Sequence, residues 1–521
     1  VIDQSSDVWT RRFSILLASV SLWRLLFLVI TPLDLVPDEA YYWDWSRHLD
    51  WGYYSKPPLI AWINALSTGL LGASAVSLRL PAVIFGIIGI VAVFSLARRM
   101  FDSRVGFWAA AALLASSGSS LSAFLMTIDA PFLCFWSLSL YSLWRAINEE
   151  TMGWLWWILC AVTVGLGLLS KQMMIAFLVI LPLFLGVSPR DRHLFRRPWP
   201  YLLIVLSLSA LLPVIWWNMQ HAWITLHHTA HHFDSNPRED FYFVKTLLDF
   251  IGSQLLLLSP LSWLLFVAIA SRMIVYFRKL ERNVQFLLLF SAVPLSGFFF
   301  MALRQRINGN WPAVLYPAGF ILLAAWGCGA ISVSDRLDRS RKLFLPGVLT
   351  GTVLAITTYA LTFFLSISSV GGSALDPTLR LKGWQRLGQE VGSVWRRLPE
   401  SEKTFLLTTK RQYASELAFY VPGRPRVYTW PDRDGAINSQ YDIWPGPVER
   451  LGWDSLVLLK AGRKPPSEMV AAFNSMELLG KIDIPTGPGG KRQFSLYRGH
   501  TLKAWPERAS RHIAHPDDDS P

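Results

Sequence analysis

Apolar runs close to the length of a bilayer-crossing helix recur from residue 13 to residue 366 of this 521-residue chain. A helix needs roughly 17 to 25 predominantly apolar residues to cross the hydrocarbon core. Candidate spans fall at 13–34, 76–97, 106–126, 130–147, 154–170, 172–187, 199–219, 250–276, 284–302, 312–332 and 343–366, the fifth and sixth being short. At 52% hydrophobic, 16% charged and mean hydropathy +0.34, the chain is too apolar for an ordinary soluble protein. It reads as a polytopic α-helical membrane protein with about 11 transmembrane helices.

Loop charge sets the expected orientation, because Lys and Arg collect on the cytoplasmic side. Arg11, Arg12, Arg98, Arg99, Arg104, Arg145, Arg190, Arg192, Arg196, Arg197, Arg272, Arg278, Lys279, Arg282, Arg336, Arg339, Arg341 and Lys342 all fall on one side. The opposite loops hold far fewer: Arg47, Lys56, Arg79, Lys171, Arg238, Lys245, Arg304 and Arg306. This predicts a cytoplasmic N-terminus and, with an odd number of spans, a C-terminal region on the outer face. The net charge of +13 is therefore assigned to cytoplasmic loops and lipid headgroups, not to nucleic acid. Cys134, Cys160 and Cys328 lie in apolar segments and are expected to pack there, without forming disulfides or a zinc site. No cleavable signal peptide is expected, since Pro, Asp and aromatic residues follow the first apolar run.

From about Gly371 the long apolar runs stop. Residues 371–521 are expected to form a soluble α/β domain, and residues 1–370 the membrane domain with an exterior first loop at 34–75. GWQRLGQEVGSVWRRL and YASELAFYV have helical spacing, while TFLLTT, RVYTW, DSLVLLK and RQFSLYR read as strands. No Gly-rich phosphate loop follows these strands, and the tail ending HPDDDSP is expected to be disordered.

The stretch PDEAYYWDWSRHLDWGYYSKPP, residues 37–58, departs most from a passive membrane loop. It sets acids, cations and many aromatic rings between two apolar runs. Asp38 and Glu39 follow the first span, and Lys56 precedes the stiffening pair Pro57 and Pro58. Asp129 lies between the third and fourth spans, Lys171 between the fifth and sixth, and Arg304 and Arg306 between the ninth and tenth. All are expected on the outer side, converging on one cavity. Ionisable groups at membrane depth are costly and are functional candidates by default. Each also has a plainer reading: Asp38 and Glu39 suit a helix start, Lys56 a snorkelling lysine, and Asp129 a cap. Lys171 interrupts a long apolar stretch and is harder to explain as surface. Arg24, mid-span, is expected to pair within the bundle, whereas Asp44 and Asp50 are expected to be solvated. His227, His228, His231 and His232 form two i, i+4 pairs, which is the spacing of a metal site, with Asp234 or Glu239 as oxygen donor. An amphipathic interfacial helix accounts for them more simply, and no metal is assigned to the site.

PDEAYYWDWSRHLDWGYYSKPPL, TIDAPF, GLGLLSKQ and GNWPA together resemble the GT-C glycosyltransferases of the protein O-mannosyltransferase and aminoarabinose (lipid A) transferase superfamily, in its bacterial family 39 branch. The resemblance covers roughly residues 10–370 and rests on the order of its motifs: an acidic pair after the first span, Lys-Pro-Pro closing that loop, and an Asp after the third span. SELAFYVPG and QYDIWPG look like the tails of bacterial members. It implies transfer of a sugar, with inversion, from a polyprenyl-phosphate donor at the periplasmic face of a bacterial inner membrane. The acceptor would be lipid A or another glycolipid, and by the same chemistry a polysaccharide or protein. Asp38 matches the acidic residue at the catalytic centre, Asp129 the second acid, and Lys56 the cation near the donor phosphate. Lys171, Arg304 and Arg306 are expected at the same phosphate, with Glu39, Tyr41, Tyr54, Asn310 and Trp311 supporting the site or binding acceptor. Ser55 stands where the aminoarabinose transferases have an acid, which argues against carrying over their sugar or acceptor.

The chemistry suits these residue types. A sugar phosphate already carries its leaving group, so alignment and charge stabilisation matter more than covalent catalysis. Asp38 would accept the proton of an acceptor hydroxyl. No nucleotide or obligatory cofactor is expected, a divalent metal being the lesser reading. The expected partners are the lipid-linked sugar, the lipid or glycan acceptor and membrane lipids. Two other classes compete: a lipid or anion transporter using the same charged cavity, and a structural subunit displaying the soluble domain. The absence of a matching cytoplasmic charge cluster and of a repeat between the two halves weighs against transport.

Overall fold

The computed structural model describes residues 4–231, 242–432 and 437–506. Among them, six helices are long and apolar enough to span a membrane: Asp7–Ile30, Ala75–Met100, Gly153–Ser170, Trp199–Gln220, Arg282–Ala302 and Asp335–Ile367. A seventh is added if Phe243–Leu258 and Pro260–Val275, bent by 113°, are one broken span. That is fewer than the eleven the apolar runs predict, and local chemistry explains why.

The run at 106–126 splits after helix Ser103–Leu114, where the Ser116 hydroxyl accepts the Ser119 N–H at 3.1 Å and starts a second short helix. The run at 250–276 breaks at Ser259, whose φ is +98°, and Pro260 opens the next helix because its missing N–H costs nothing there. The runs at 172–187 and 312–332 open with 3-10 turns at Gln172–Met174 and Trp311–Leu315. Their α-helices, Ile175–Val187 and Tyr316–Gly327, have only 13 and 12 residues. The expected first loop is itself partly helical, at Pro37–Ser46 and Leu59–Leu71.

Contacts divide the chain into two compact units. The first comprises Val1–Val29, Arg79–Trp216 and Phe233–Tyr359. Its core is rich in aromatic rings: Trp136 meets Phe177 edge-on at 5.4 Å, and Phe184 meets Phe286 at 5.1 Å. Cys134 and Cys160 are buried free thiols, as packing residues should be. Arg24 pairs inside the unit, its Nη2 donating to the Ser119 carbonyl at 3.2 Å and hydroxyl at 3.1 Å. Many large apolar side chains on the long helices, such as Leu22, Val29, Val205 and Val275, remain exposed, as lipid-facing residues do.

The second unit comprises Ile30–Leu78, Trp217–His232 and Ala360–Pro521. The first loop thus packs as part of the same unit as the C-terminal region, and the boundary at residues 370 and 371 falls inside it. Its sheet contains β1 (Thr404–Thr408), β2 (Val427–Thr429), β3 (Asp454–Lys460), β4 (Phe473–Gly487) and β5 (Gly490–Leu502), in the order β2-β1-β3-β5-β4. β1 runs parallel to β2 and β3, while β5 is antiparallel to β3 and β4. The short strand β1 is buried along its whole length, because it lies between two parallel neighbours. β4, unlike the other four, is not anticipated from the sequence. Helices Trp384–Arg397 and Arg411–Tyr420 pack on the sheet side of this unit with their apolar stripes buried.

Candidate active site

The site residues read from the sequence fall into two clusters, one in each unit. In the second unit, Pro37 opens helix Pro37–Ser46, and its fixed φ and absent N–H suit the first turn. The three acids of that helix have different fates. Glu39 is buried and accepts the Val36 N–H at 3.0 Å, which closes the helix start. Asp44, expected to be solvated, is instead buried: it accepts from the Tyr441 hydroxyl at 2.7 Å and from Arg47 at 3.1 Å. Burial pushes its carboxyl above the ordinary range, against the pull of Arg47 and the Tyr441 hydrogen bond. Asp50 is not a free surface acid either, since Trp217 Nε1 donates to it at 2.7 Å. Asp38 differs from all of these. Its side chain is 45% exposed, and Arg411 Nη1 lies 3.2 Å from its Oδ1.

Aromatic side chains hold this helix in place. Tyr41 is buried, its hydroxyl accepts the Gln440 N–H, and burial raises its phenol well above the ordinary value. Tyr54 is buried too, its N–H donating to Gln440 Oε1 at 2.7 Å and its ring lying 4.7 Å from that of His228. Both therefore lie in the core of the second unit. Lys56 is half-buried, and its carbonyl accepts the Tyr53 N–H at 3.3 Å. Gly52 is required by close approach: a Cβ there would lie 2.7 Å from the Trp217 ring.

Two of the described histidines pack on aromatic rings. His221 stacks on Trp217 at 3.9 Å, while His228 packs on Tyr54. His232, Asp234 and Glu239 lie outside the described residues. Among the described residues, no group of three His, Cys, Asp or Glu side chains could hold a metal ion.

In the first unit, Asp129 begins helix Asp129–Ala146, where the helix dipole favours a negative charge. Lys171, at the C-cap of helix Gly153–Ser170, places Nζ 2.8 Å from Asp129 Oδ1. Asn310 donates to the other oxygen, Oδ2, at 2.6 Å. Sequence order separates these three widely; the fold brings them together. Trp311, half-buried, follows Asn310 directly, whereas Arg304 and Arg306 are exposed on the same loop. Gln254 Nε2 donates to the Gly309 carbonyl at 3.1 Å and pins this loop from the other side. Asp129 and Asn310 line a cavity of about 340 Å³ whose other walls are largely apolar, including Phe85, Leu125 and Leu257. Such a space accepts an amphiphile with its polar end at the carboxylate.

Arg411, Gln440 and Tyr441 are the residues that sequence reasoning missed. The only signal was their position in or beside SELAFYVPG and QYDIWPG, motifs with no chemistry attached.

Residues 55–217 match a family described as dolichyl-phosphate-mannose-protein mannosyltransferase. A lipid A galacturonosyltransferase, RgtD, from Rhizobium johnstonii is 28% identical over 316 residues, covering 59% of this chain and 63% of that one. An undecaprenyl phosphate-alpha-4-amino-4-deoxy-L-arabinose arabinosyl transferase from Pseudomonas aeruginosa is 28% identical over 204 residues, 35% of this chain and 36% of its own. The chain thus matches less than two thirds of the length of either relative. ArnT from Cupriavidus metallidurans bound to undecaprenyl phosphate superimposes with TM-score 0.59 at 18% identity, over 93% of this chain and 97% of that one. The chain shares the fold of that transferase over nearly its whole length. It is a multi-pass membrane protein of that fold, with a small C-terminal sheet domain.

Proposed function

We propose that this chain is an inverting glycosyltransferase that moves a sugar from a polyprenyl-phosphate donor to lipid A or a related glycolipid. One observation carries the reading: of the three acids on helix Pro37–Ser46, Glu39 and Asp44 are buried in structural bonds, and Asp38 keeps a solvent-accessible carboxylate. The relatives named for galacturonosyl and aminoarabinosyl transfer support this choice of chemistry. The site and the C-terminal sheet domain are placed on the periplasmic side of a bacterial inner membrane, with the N-terminus cytoplasmic, in keeping with the loop charges.

In the reaction, the acceptor hydroxyl oxygen attacks the anomeric carbon, the bond from that carbon to the phosphate oxygen breaks, and polyprenyl phosphate leaves with the electron pair. Asp38 takes the hydroxyl proton. Lys56 supplies positive charge to the phosphate. Lys171, closed onto Asp129, orients that carboxylate. Asp129 in turn holds Asn310 and the loop behind it. Glu39 and Tyr41 fix the helix that carries Asp38, and Tyr54 fixes its loop. This scheme requires no metal, so chelation is expected to leave turnover intact.

The test is release of polyprenyl phosphate from polyprenyl-phosphate sugars incubated with lipid A and the purified protein. Asp38→Asn should lower turnover by about a thousandfold or more, the loss expected when a group acting in the transition state is removed, with the melting temperature unchanged. Full activity in Asp38→Asn, or donor movement across sealed vesicles without cleavage, would overturn the reading.

A further inference from the structure

Arg411 occupies the first position of helix Arg411–Tyr420, in the C-terminal part of the second unit. A cation there opposes the helix dipole, which favours negative charge at that end. Its surroundings give the reason for its presence. The guanidinium lies over the Tyr41 ring at 5.2 Å and meets Asp38 at 3.2 Å, so two residues of helix Pro37–Ser46 hold it. The pair is neither buried nor fully solvated, at 27% exposure for Arg411 and 45% for Asp38. Such pairs contribute little to stability. The two helices are fastened together by other contacts: Ser415 Oγ donates to the Pro37 carbonyl at 3.3 Å, the Leu35 N–H donates to the Tyr420 hydroxyl at 2.7 Å, and Trp43 meets Phe419 edge-on at 4.9 Å. These contacts join the two segments without Arg411, whereas the Arg411 guanidinium meets the Asp38 carboxylate directly.

We infer that Arg411 is a positioning residue for Asp38, by which the C-terminal region aims the carboxylate used by the first loop. The inference rests on the role given to Asp38 above. The guanidinium fixes one carboxylate oxygen and leaves the other to accept the acceptor's proton. Misplacement of a reacting group by about 1 Å can cost a hundredfold in rate, so a group that only aims another has a measurable effect.

Two measurements test it. In the turnover assay, Arg411→Ala should lower kcat at least about tenfold and change the donor KM less than about twofold, and Arg411→Lys should recover most of kcat. In an Asp38→Asn background, Arg411→Ala should cause no further loss. An unchanged kcat, a loss confined to KM, or equal loss in the Ala and Lys variants would overturn the assignment. The second measurement does not depend on turnover: carbodiimide and amine labelling of Asp38, followed by peptide mass spectrometry. Arg411→Ala should speed labelling of Asp38 several-fold and leave the exposed Glu402 unchanged. Equal labelling rates at Asp38 would refute the pairing, whereas a wild type without turnover but with this labelling difference would refute only the glycosyltransferase reading.

Discussion

Lys171 is buried at the end of an apolar helix, with its ammonium 2.8 Å from Asp129. Both side chains are largely shielded, at 9% and 16% exposure, so each charge depends on the other. Removing one partner of a buried pair costs about 3–5 kcal/mol, because it strands the other charge, whereas removing both costs little. Lys171→Met is therefore expected to lower stability by about 3 kcal/mol. Lys171→Met combined with Asp129→Asn should recover more than half of that loss, since Asn can still bond Asn310. Thermal melting of the purified protein in detergent measures both, and a double variant as unstable as the single one would contradict the pairing. That Lys171 needed a partner was legible in the sequence, because an ammonium inside an apolar run is costly. Its pairing with Asp129 was not, because 42 residues separate the two and only packing of helices Asp129–Ala146 and Gly153–Ser170 closes the gap. Asp44 shows the reverse failure. Its place among polar and aromatic neighbours looked solvated, and only Tyr441, almost 400 residues away, supplies the donor that lets it be buried.

At the scale of elements, the segment between the last span and the sheet is organised around Asp376. Its Oδ2 accepts from the Gly372 N–H and the Lys382 ammonium, both at 2.7 Å, and its Oδ1 accepts from the Thr378 N–H at 2.7 Å. Burial works against the Asp376 anion, but the Lys382 and Thr378 side chains and the backbone donors outweigh it and hold the carboxyl down to about 2. A carboxyl depressed in the folded state stabilises the fold fully above its ordinary value near 4, and that stability is lost as pH falls toward 2. The shift corresponds to about 2 kcal/mol. Hydrogen-exchange protection at Gly372 and Thr378, corrected for intrinsic rates, should therefore decline as pH falls from about 4 toward about 2 in the wild type. Asp376→Asn should show reduced protection already at neutral pH and little further decline; protection in the wild type that ignores pH would disprove the linkage. Elements themselves were legible where pattern and period agreed, as in β1, β3 and helix Trp384–Arg397. β4 escaped because most of its residues are exposed at the sheet edge, so no alternation of apolar residues announces it. The breaks at Ser116 and Ser259 escaped because apolarity continues through them while the backbone does not.

For the whole molecule, the consequence lies in how the second unit is assembled from separated parts of the chain. Read along the sequence, residues 371–521 look like an independent domain. In the fold they share one unit with residues 30–78 and 217–232. Tyr420 takes the Leu35 N–H, Gln440 takes the Tyr54 N–H, and Tyr441 reaches Asp44, so three places in the C-terminal region are bonded to the first loop. Phe419, Tyr428 and Tyr441 are all buried, and Phe419 packs directly on Trp43. A fragment of residues 371–521 would retain the sheet and its own core of Phe405, Val457, Leu459 and Phe473. It would also expose the face that helix Pro37–Ser46 covers, and lose the donors and acceptors that satisfy Gln440 and Tyr441. Such a fragment is expected to bind a hydrophobic dye and to melt broadly. Adding a covalently linked segment of residues 30–78 should reduce dye binding and sharpen the transition, because buried apolar area is restored together with its hydrogen bonds. A sharp, dye-free melt for residues 371–521 by themselves would show that the C-terminal region folds without the first loop. It would also remove the basis for treating Asp38 and Arg411 as parts of one folding unit.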